Sequence, residues 1–167
     1  MDEIKALLTE MGKALELKRR KLTLEVENWQ GQMVPAQDEY NLDPDGKSNG
    51  RNYRIKSGDM TVTSWSMQTL PGCCGICLSN NAFVWGRYHG KGVNTIANKI
   101  RIAIAKQAGY GIILCTDRDE NTAQRKTLAR NGWTDIHQFE NPRTGNLVNI
   151  SIKNLENDRE DRDEGDY

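Results

Sequence analysis

The feature that most constrains the fold is an uninterrupted succession of a strand, a glycine-rich turn, a helix and a second strand. Residues 76–85 (ICLSNNAFVW) are typical of a strand, and the glycine-rich run 86–92 follows directly. The next apolar residues recur every three or four positions, which predicts a helix with one buried face: Val93, Ile96, Ala97, Ile100, Ala103, Ile104 and Ala108. Gly109 then ends the helix, and the apolar run 110–115 (YGIILC) predicts a strand buried on both faces. A right-handed crossover makes the two strands parallel and places the turn at the carboxyl edge of the sheet.

Segments on either side predict further strands around this unit. Residues 53–56 and 60–67 read as a hairpin, and a second helix is expected near residues 120–130. Residues 133–139 and 147–152 flank a turn-rich stretch and predict a terminal hairpin. Together these elements predict an α/β fold with a mixed sheet.

The N-terminal region predicts a helix over residues 2–30. Its apolar residues lie at helical spacings: Ile4, Leu7, Leu8, Met11 and Leu15. Basic residues 18–21 are expected near its later turns. The apolar face is suited to covering a sheet of this domain, pairing with a second copy to form a homo-oligomer, or docking on a partner protein, and the sequence does not choose among these.

Composition divides the chain into four parts. After the helix at 1–30, residues 31–51 are polar and rich in Pro and Gly, which predicts an irregular loop before a domain at 52–155. Residues 156–167 hold seven acids and two Arg, which predicts a disordered tail. The total of 167 residues fits one domain, and equal numbers of acidic and basic residues, 23 each, give no reason to predict nucleic-acid or membrane partners. Because the acidic start MDEIK lacks a signal-peptide pattern, we expect a cytoplasmic protein.

The turn between strand and helix carries the chemistry. Glycine at positions 90 and 92 lets the backbone approach a ligand closely, and the free N–H groups of the helix start attract an anion such as a phosphate. The turn is not a Walker loop, because Lys91 stands between two glycines and no Ser or Thr follows it. It is not a dinucleotide fingerprint either, because position 95 is Thr95 rather than glycine.

This turn resembles the pyrophosphate loop of the GNAT superfamily of N-acetyltransferases, written Arg/Gln-x-x-Gly-x-Gly/Ala. Residues 87–92 (RYHGKG) fit that consensus literally, whereas residues 89–94 (HGKGVN) fit a common form of it two positions later. The spacing to Gly109, to Asn121 and to the 131–133 ending (NGW) favours the second register. The resemblance spans about residues 76–155 and implies a GNAT-like acyl-CoA N-acyltransferase fold with an added N-terminal helix.

The resemblance also implies a cofactor and its binding residues. Acetyl-CoA would lie between the two parallel strands, with its pyrophosphate on the turn and its pantetheine arm along the end of the first strand. The implied cofactor-binding residues are Phe83, Val84, Trp85, His89, Gly90, Lys91, Gly92, Val93, Asn94 and Asn121. The implied activity is transfer of an acetyl group to an amine acceptor by direct attack.

The catalytic residues are less clearly marked than the cofactor site. The family's usual general acid, a Tyr seven positions after the Asn, is replaced by Leu128. Substitute candidates are Tyr88, His89, Tyr110 and Cys115. The pair Cys74 and Cys77 has metal-ligand spacing, but a second pair is lacking in the sequence, and we predict no metal site.

The missing Tyr supports an alternative from a different class. A GNAT-fold binding or structural module without catalysis would act through its N-terminal helix and acidic tail. The HGKGVN loop and the NGW and TGN turns resemble GNAT-like proteins encoded by tailed phages, which implies a virion location as the alternative to the cytoplasm.

Overall fold

The structure, a computed structural model, describes residues 2–17, 21–36, 42–46 and 50–156. Within these residues the α-helices are α1 (Asp2–Ala14), α2 (Val93–Ala108) and α3 (Thr122–Arg130). The strands are β1 (Leu22–Glu27), β2 (Met33–Pro35), β3 (Arg51–Ser57), β4 (Met60–Thr69), β5 (Ile76–Val84), β6 (Ile112–Arg118), β7 (Thr134–Glu140) and β8 (Leu147–Asn154). A short 3-10 helix, Gly86–Tyr88, precedes α2.

The described strands form one mixed sheet in the order β2-β1-β3-β4-β5-β6-β8-β7. Strands β5 and β6 are parallel, and the other neighbouring pairs of the described sheet are antiparallel. Because α2 connects β5 to β6, the predicted strand–helix–strand crossover is confirmed. The α/β class with a mixed sheet is confirmed with it.

The core forms where alternating strand residues face the helices. In β3, Tyr53 and Ile55 are fully buried, and the ring of Tyr53 stacks on Trp65 of β4 at 5.7 Å between ring centroids. A bulge in the β3–β4 pairing, next to Val62, shifts this alternation. Helix α2 supplies the largest helical share of the core, and its buried residues include the predicted stripe from Val93 to Ile104.

Glycines in the left-handed conformation bound α2 at both ends. Gly92 precedes the helix with φ of 75°, and Gly109 ends it with φ of 95°. The N–H of Gly109 donates to Lys106 O at 3.1 Å, as in a common C-terminal cap. The predicted role of Gly109 as the helix stop is confirmed.

The prediction of a helix over residues 2–30 is wrong in its extent. Helix α1 ends at Ala14, and Glu16 adopts a left-handed φ of 55° while Leu17 N donates to Gly12 O. Residues 22–27 form β1 instead, because Leu22, Leu24 and Val26 alternate with polar residues and pair with β3. Of the basic residues predicted near the later helical turns, 18–20 lie outside the described residues.

The predicted loop at 31–51 also contains ordered sheet structure. Met33–Pro35 form β2 on β1, and Arg51 already belongs to β3. Residues 37–41 and 47–49 of this loop, and residues 157–167 of the predicted disordered tail, lie outside the described residues. Because β1 and β2 belong to the same sheet as the rest, residues 21–36 are part of the domain rather than an extension before it.

The apolar face of α1 covers the domain's own core. Ile4, Leu7 and Met11 are buried, and the helix packs against α2 and β1. Lys99 of α2 forms an ion pair with Glu10 of α1 at 3.7 Å. Of the three alternatives for this face, the structure therefore favours coverage of the domain itself, and docking of a partner through α1 would have to use its other side.

The two edges of the described sheet differ from its interior. At one edge β2 is three residues long and ends in Pro35, which has no backbone N–H. At the other edge all seven residues of β7 are exposed, and a bulge interrupts its pairing with β8 between Asp135 and His137. None of the helices in the described residues has both the length and the apolar character needed to cross a bilayer.

Burial of α1 predicts that this helix is required for stability. Met11 is fully buried, so Met11→Ala should lower the free energy of unfolding by about 2–5 kcal/mol. Thr9→Ala, on the exposed side of the same helix, should change it by less than about 0.5 kcal/mol. Urea unfolding measures both variants, and an unchanged stability of Met11→Ala would show that α1 is detachable from the core.

Candidate functional site

Strands β5 and β6 are paired over only three residues. Ile76 lies opposite Ile112, and the pairing ends where Leu78 lies opposite Leu114. Beyond this point β5 stays paired with β4 and β6 stays paired with β8, so the two strands diverge. We call the resulting gap the splay. It is a cavity of about 480 Å³, lined by residues 79–82 of β5 and 115–118 of β6.

A bulge lies in β5 beside the splay. Phe83 pairs with Ser64 and Asn80 pairs with Ser66, so two residues of β5 face the single residue Trp65 of β4. Asn81, one of these two residues, has a positive φ of 53°. Bulges of this kind bend a strand, which accounts for the departure of β5 from β6 at this point.

The turn between β5 and α2 forms a second cavity, which we call the groove. It has a volume of about 700 Å³ and is lined by residues of β5, the turn, the start of α2 and the exposed side of α3. Gly90 and Gly92 line it with left-handed φ values of 72° and 75°. Gly92 provides no side chain to cap α2, so the first N–H groups of this helix are available to an anion.

The groove and the splay meet at three shared residues, Ala82, Asn121 and Gln124. At this junction Asn94 Nδ2 donates to Gln124 Oε1 at 2.7 Å, which links the start of α2 to α3. The Asn94 side chain is thereby held by protein partners. The two cavities therefore adjoin each other, from a helix N-terminus to the gap between two strands, and we call them together the channel.

Most of the predicted turn residues line the groove. His89, Gly90, Gly92, Val93 and Asn94 all contribute to it. The His89 ring is held against the end of β5, because its Nε2 donates to Val84 O at 2.7 Å. Lys91 is exposed and does not line either cavity.

The predicted residues at the end of β5 lie beside the groove, but some of their backbone groups are already paired. Phe83 and Val84 line the groove, whereas Trp85 does not. Thr63 Oγ1 donates to Phe83 O at 2.8 Å, and Trp85 N donates to Val62 O at 3.0 Å. The rings of Phe83 and Trp85 meet edge to face at 4.8 Å and are largely exposed.

The four predicted catalytic candidates do not converge on one point. Tyr88 and His89 line the groove, and Cys115 lines the splay. Tyr110 is fully buried before the amino end of β6, where its hydroxyl is 2.7 Å from Thr69 Oγ1. We therefore exclude Tyr110 from the site, because it occupies the end of the strand opposite to the splay.

Asn121 lies at the junction and caps α3. Its Oδ1 accepts a hydrogen bond from Gln124 N at 3.2 Å, which is the usual N-cap contact. Leu128, at the position where the resemblance implies a Tyr, is 3% exposed and belongs to the core. Helix α3 therefore provides no hydroxyl group there.

Three charged residues that line the splay, Arg101, Asp117 and Arg118, were not predicted as site residues from the sequence. The carboxylate of Asp117 lies 3.9 Å from Arg125 Nη1, and its pKa is raised because burial outweighs the influence of that cation. Arg101 of α2 is 2% exposed, and burial lowers its pKa to about 10. The sequence pattern could have identified Arg101 as a buried residue, because it lies four residues after Ala97 on the apolar face of α2.

The cysteines fall into an exposed and a buried pair. Cys73 and Cys74 are exposed in the turn before β5, whereas Cys77 and Cys115 are buried. Burial raises the thiol pKa of both Cys77 and Cys115 to about 12. The described residues contain no group of three or more His, Cys, Asp or Glu side chains arranged to hold a metal ion.

The fold is similar to that of solved acetyltransferases. No family model matches the sequence, and no curated protein matches it. The GCN5-related N-acetyltransferase from Kribbella flavida is similar with a TM-score of 0.55 and 18% identity over 64% of this chain and 68% of that chain. The Salmonella typhimurium protein yncA, solved with its cofactor acetyl-CoA, has a TM-score of 0.53 and 15% identity over 64% and 65% of the two chains.

RimJ from Mycobacterium smegmatis, in complex with CoA-disulfide, is similar with a TM-score of 0.57 and 18% identity over 65% of this chain and 54% of that chain. At these identities the similarity concerns the fold alone. The predicted GNAT-like fold with an N-terminal helix is thereby confirmed, and the predicted phage origin stays a prediction.

The burial of Cys115 predicts its reactivity. Burial raises the pKa of the Cys115 thiol to about 12, so it is almost entirely protonated at pH 8 and its alkylation should be slow. Under native conditions iodoacetamide should label Cys73 and Cys74, and it should label Cys77 and Cys115 only after denaturation. Peptide mass spectrometry distinguishes the sites, and rapid native labelling of Cys115 would contradict its burial.

Proposed function

We propose that the protein is an acetyl-CoA-dependent N-acetyltransferase that transfers the acetyl group to an amine by direct attack. The observation that carries this proposal is the channel formed by the groove and the adjoining splay, which share the lining residues Ala82, Asn121 and Gln124. Such a channel suits a long, thin ligand with an anionic group near one end and a reactive group at the other. The same fold occurs in yncA with acetyl-CoA and in RimJ with CoA-disulfide, which supports this ligand.

The turn fits a pyrophosphate sterically and electrostatically. Among the described residues, no atom lies within 4 Å of a Cβ placed at Gly90 or Gly92, so the space beside both glycines is open. The N–H groups at the start of α2 would donate to the phosphate oxygens. Lys126 and Arg130 of α3 line the same groove and add positive charge opposite them.

The splay would hold the thioester and the amine. Acetyl-CoA, when bound, would supply an activated acyl carbonyl. The backbone dipoles of β5 between Ala82 and Val84 would polarise this carbonyl. Asp117 is placed to accept the proton of the attacking amine, because it lines the splay and its raised pKa makes it a stronger base than an exposed carboxylate. The C–N bond then forms as the C–S bond breaks, and the departing thiolate takes up one proton.

Tyr88 is our candidate donor of that proton. Its side chain lines the groove that adjoins the splay rather than the splay itself. Leu128 has no proton to donate, and the fully buried Tyr110 lines neither cavity. Cys115 is the weaker candidate, because a thiol with a pKa of about 12 is a poorer acid than an ordinary thiol. The proposed acceptor is an amine on a small molecule or a protein, and the proposed location is the cytoplasm.

Leu128 supports one alternative function. A GNAT-fold module without catalysis would not need a hydroxyl at this position, which is occupied by a buried Leu. Such a module would act by binding a partner, in the cytoplasm or in a phage virion. Such a module would not need to bind CoA in the channel, so the measurement of CoA binding that follows distinguishes the two functions.

A substitution in the turn should abolish cofactor binding. Arg at position 92 would fill the space beside the helix start and strain a φ of 75°, so Gly92→Arg should lower the affinity for acetyl-CoA and CoA at least about 100-fold. Gly72→Arg is the matched control, because Gly72 has a φ of 77° and equally open surroundings in the turn before β5. Isothermal titration calorimetry measures both, and a folded wild-type protein that binds neither ligand would favour the binding module.

Removal of the proposed base should slow transfer without weakening cofactor binding. Asp117→Asn should lower the transfer rate to a primary amine about 10²–10⁴-fold, because a neutral amide cannot accept the proton. The wild-type rate should rise with pH through the raised pKa of Asp117, and this rise should disappear in the variant.

Asp119→Asn is the control for this experiment, because Asp119 also contacts Arg125, at 3.4 Å, but does not line the splay. Release of free CoA thiol in a screen of amine acceptors gives the rates. Equal rates for Asp117→Asn and the wild type would remove Asp117 from the mechanism.

A further inference from the structure

A buried cation without a matching anion lies at the wall of the splay. The Arg101 side chain is 2% exposed and lines the cavity. Among the described residues, no acidic side chain lies within ion-pair distance of its guanidinium group, whereas Asp117 is near Arg125. Burying an unpaired charge is costly, so a protein usually provides an anion for it.

The polar groups around Arg101 are also incompletely paired. Arg101 Nη2 donates to Asn94 Oδ1 at 3.5 Å, but its Nε has no hydrogen-bond partner. Ser79 Oγ, which belongs to another residue lining this cavity, is buried and has no partner either. Unpaired donors of this kind are rare in native interiors and point to a missing acceptor.

Two nearby acidic groups do not pair with Arg101. Asp117 lines the same cavity, but its ion contact is with Arg125. Cys115 is the group whose charge would most influence Arg101, but burial raises its pKa to about 12, so it is an uncharged thiol at neutral pH. Arg101 itself, with a pKa of about 10, is charged there. The cavity wall therefore presents the Arg101 guanidinium group and the Ser79 hydroxyl group to whatever enters the splay, together with the charged side chains of Asp117 and Arg118.

From the buried Arg101, the unpaired Ser79 hydroxyl and their common cavity, we infer that the splay binds the terminal carboxylate of an acyl group, as in malonyl- or succinyl-CoA, in preference to a plain acetyl group. This inference rests on the proposed function and specifies the acyl donor. Arg101 would donate to the carboxylate oxygens, and Ser79 would donate one further hydrogen bond.

The position of Arg101 favours a carboxylate on the acyl chain over one on the acceptor. Arg101 contacts Asn94, and Asn94 contacts Gln124, which lies where the groove enters the splay. These contacts link the guanidinium group to the place where the groove adjoins the splay, and the proposed pantetheine arm would enter the splay there. The cavity of about 480 Å³ is within the range of small-molecule sites and has room for a four-carbon acyl group.

Binding of a matched series of thioesters tests this inference on the full-length wild-type protein. Succinyl-CoA and butyryl-CoA carry acyl chains of four carbons that differ in a terminal carboxylate or methyl group. Calorimetry should give at least about tenfold tighter binding for succinyl-CoA or malonyl-CoA than for butyryl-CoA and acetyl-CoA. Equal or weaker binding of both acidic thioesters would overturn the inference.

Variants of Arg101 test whether its guanidinium group is responsible for the preference for acidic thioesters. Arg101→Met should remove the preference for the acidic thioesters over butyryl-CoA when both are measured on the same variant, and Arg101→Lys should retain part of it. Lys99→Met, an exposed position on the same helix, should keep the full preference. A preference that persists in a folded Arg101→Met protein would also overturn the inference.

Two further outcomes separate this inference from the proposed function. Failure of the folded wild-type protein to bind CoA at all would overturn the proposed function and the inference with it. Binding of free succinate to the CoA complex, without any preference for succinyl-CoA, would assign the carboxylate to the acceptor and overturn the inference alone.

Discussion

The rest of the structure depends on the short length over which β5 and β6 are paired. Their contact at Ile76 to Leu78 is the junction between a five-stranded antiparallel part of the sheet and a three-stranded part. A longer pairing would bring residues 79–82 and 115–118 together and close the splay. The bulge at Asn81 and the continued pairing of β6 with β8 end it early, and α2 must then cross beneath the gap from Gly92 to Gly109. The sheet, the crossing helix and the channel are therefore consequences of one short parallel contact.

The sequence predicted the second half of the fold well because its signals there are strong. The stripe on α2 repeats over sixteen residues and has a glycine at each end, so its period and its limits are both visible. The N-terminal half was less predictable. Helix-favouring residues surround the short alternation of β1. Helix α1 ends at Ala14, and the chain turns at Glu16, a non-glycine residue in a left-handed conformation that no composition rule indicates. Pairing with β3, which lies about thirty residues away in the chain, decides the strand.

For the candidate site, the sequence predicted the anion-binding turn but not the polar residues of the splay. Glycines before a helix are a local signal, so the turn could be predicted without the sheet. Arg101 and Asp117 come from α2 and β6, and they share a cavity only because the crossover and the splay bring these elements together. Tyr110 shows the opposite error. It belongs to the right segment of the chain, but it precedes β6 and lies at the end opposite to the gap.

The two edges of the sheet have a consequence for colloidal behaviour. An exposed strand edge can add the same strand of another molecule, which is how sheet proteins polymerise. Here one edge is only three residues long and ends in Pro35, and the other is interrupted by a bulge beside the charged Asp135. Neither edge offers a long, regular row of free donors and acceptors. Concentrated solutions of the folded protein should therefore resist fibril growth through edge-to-edge strand addition.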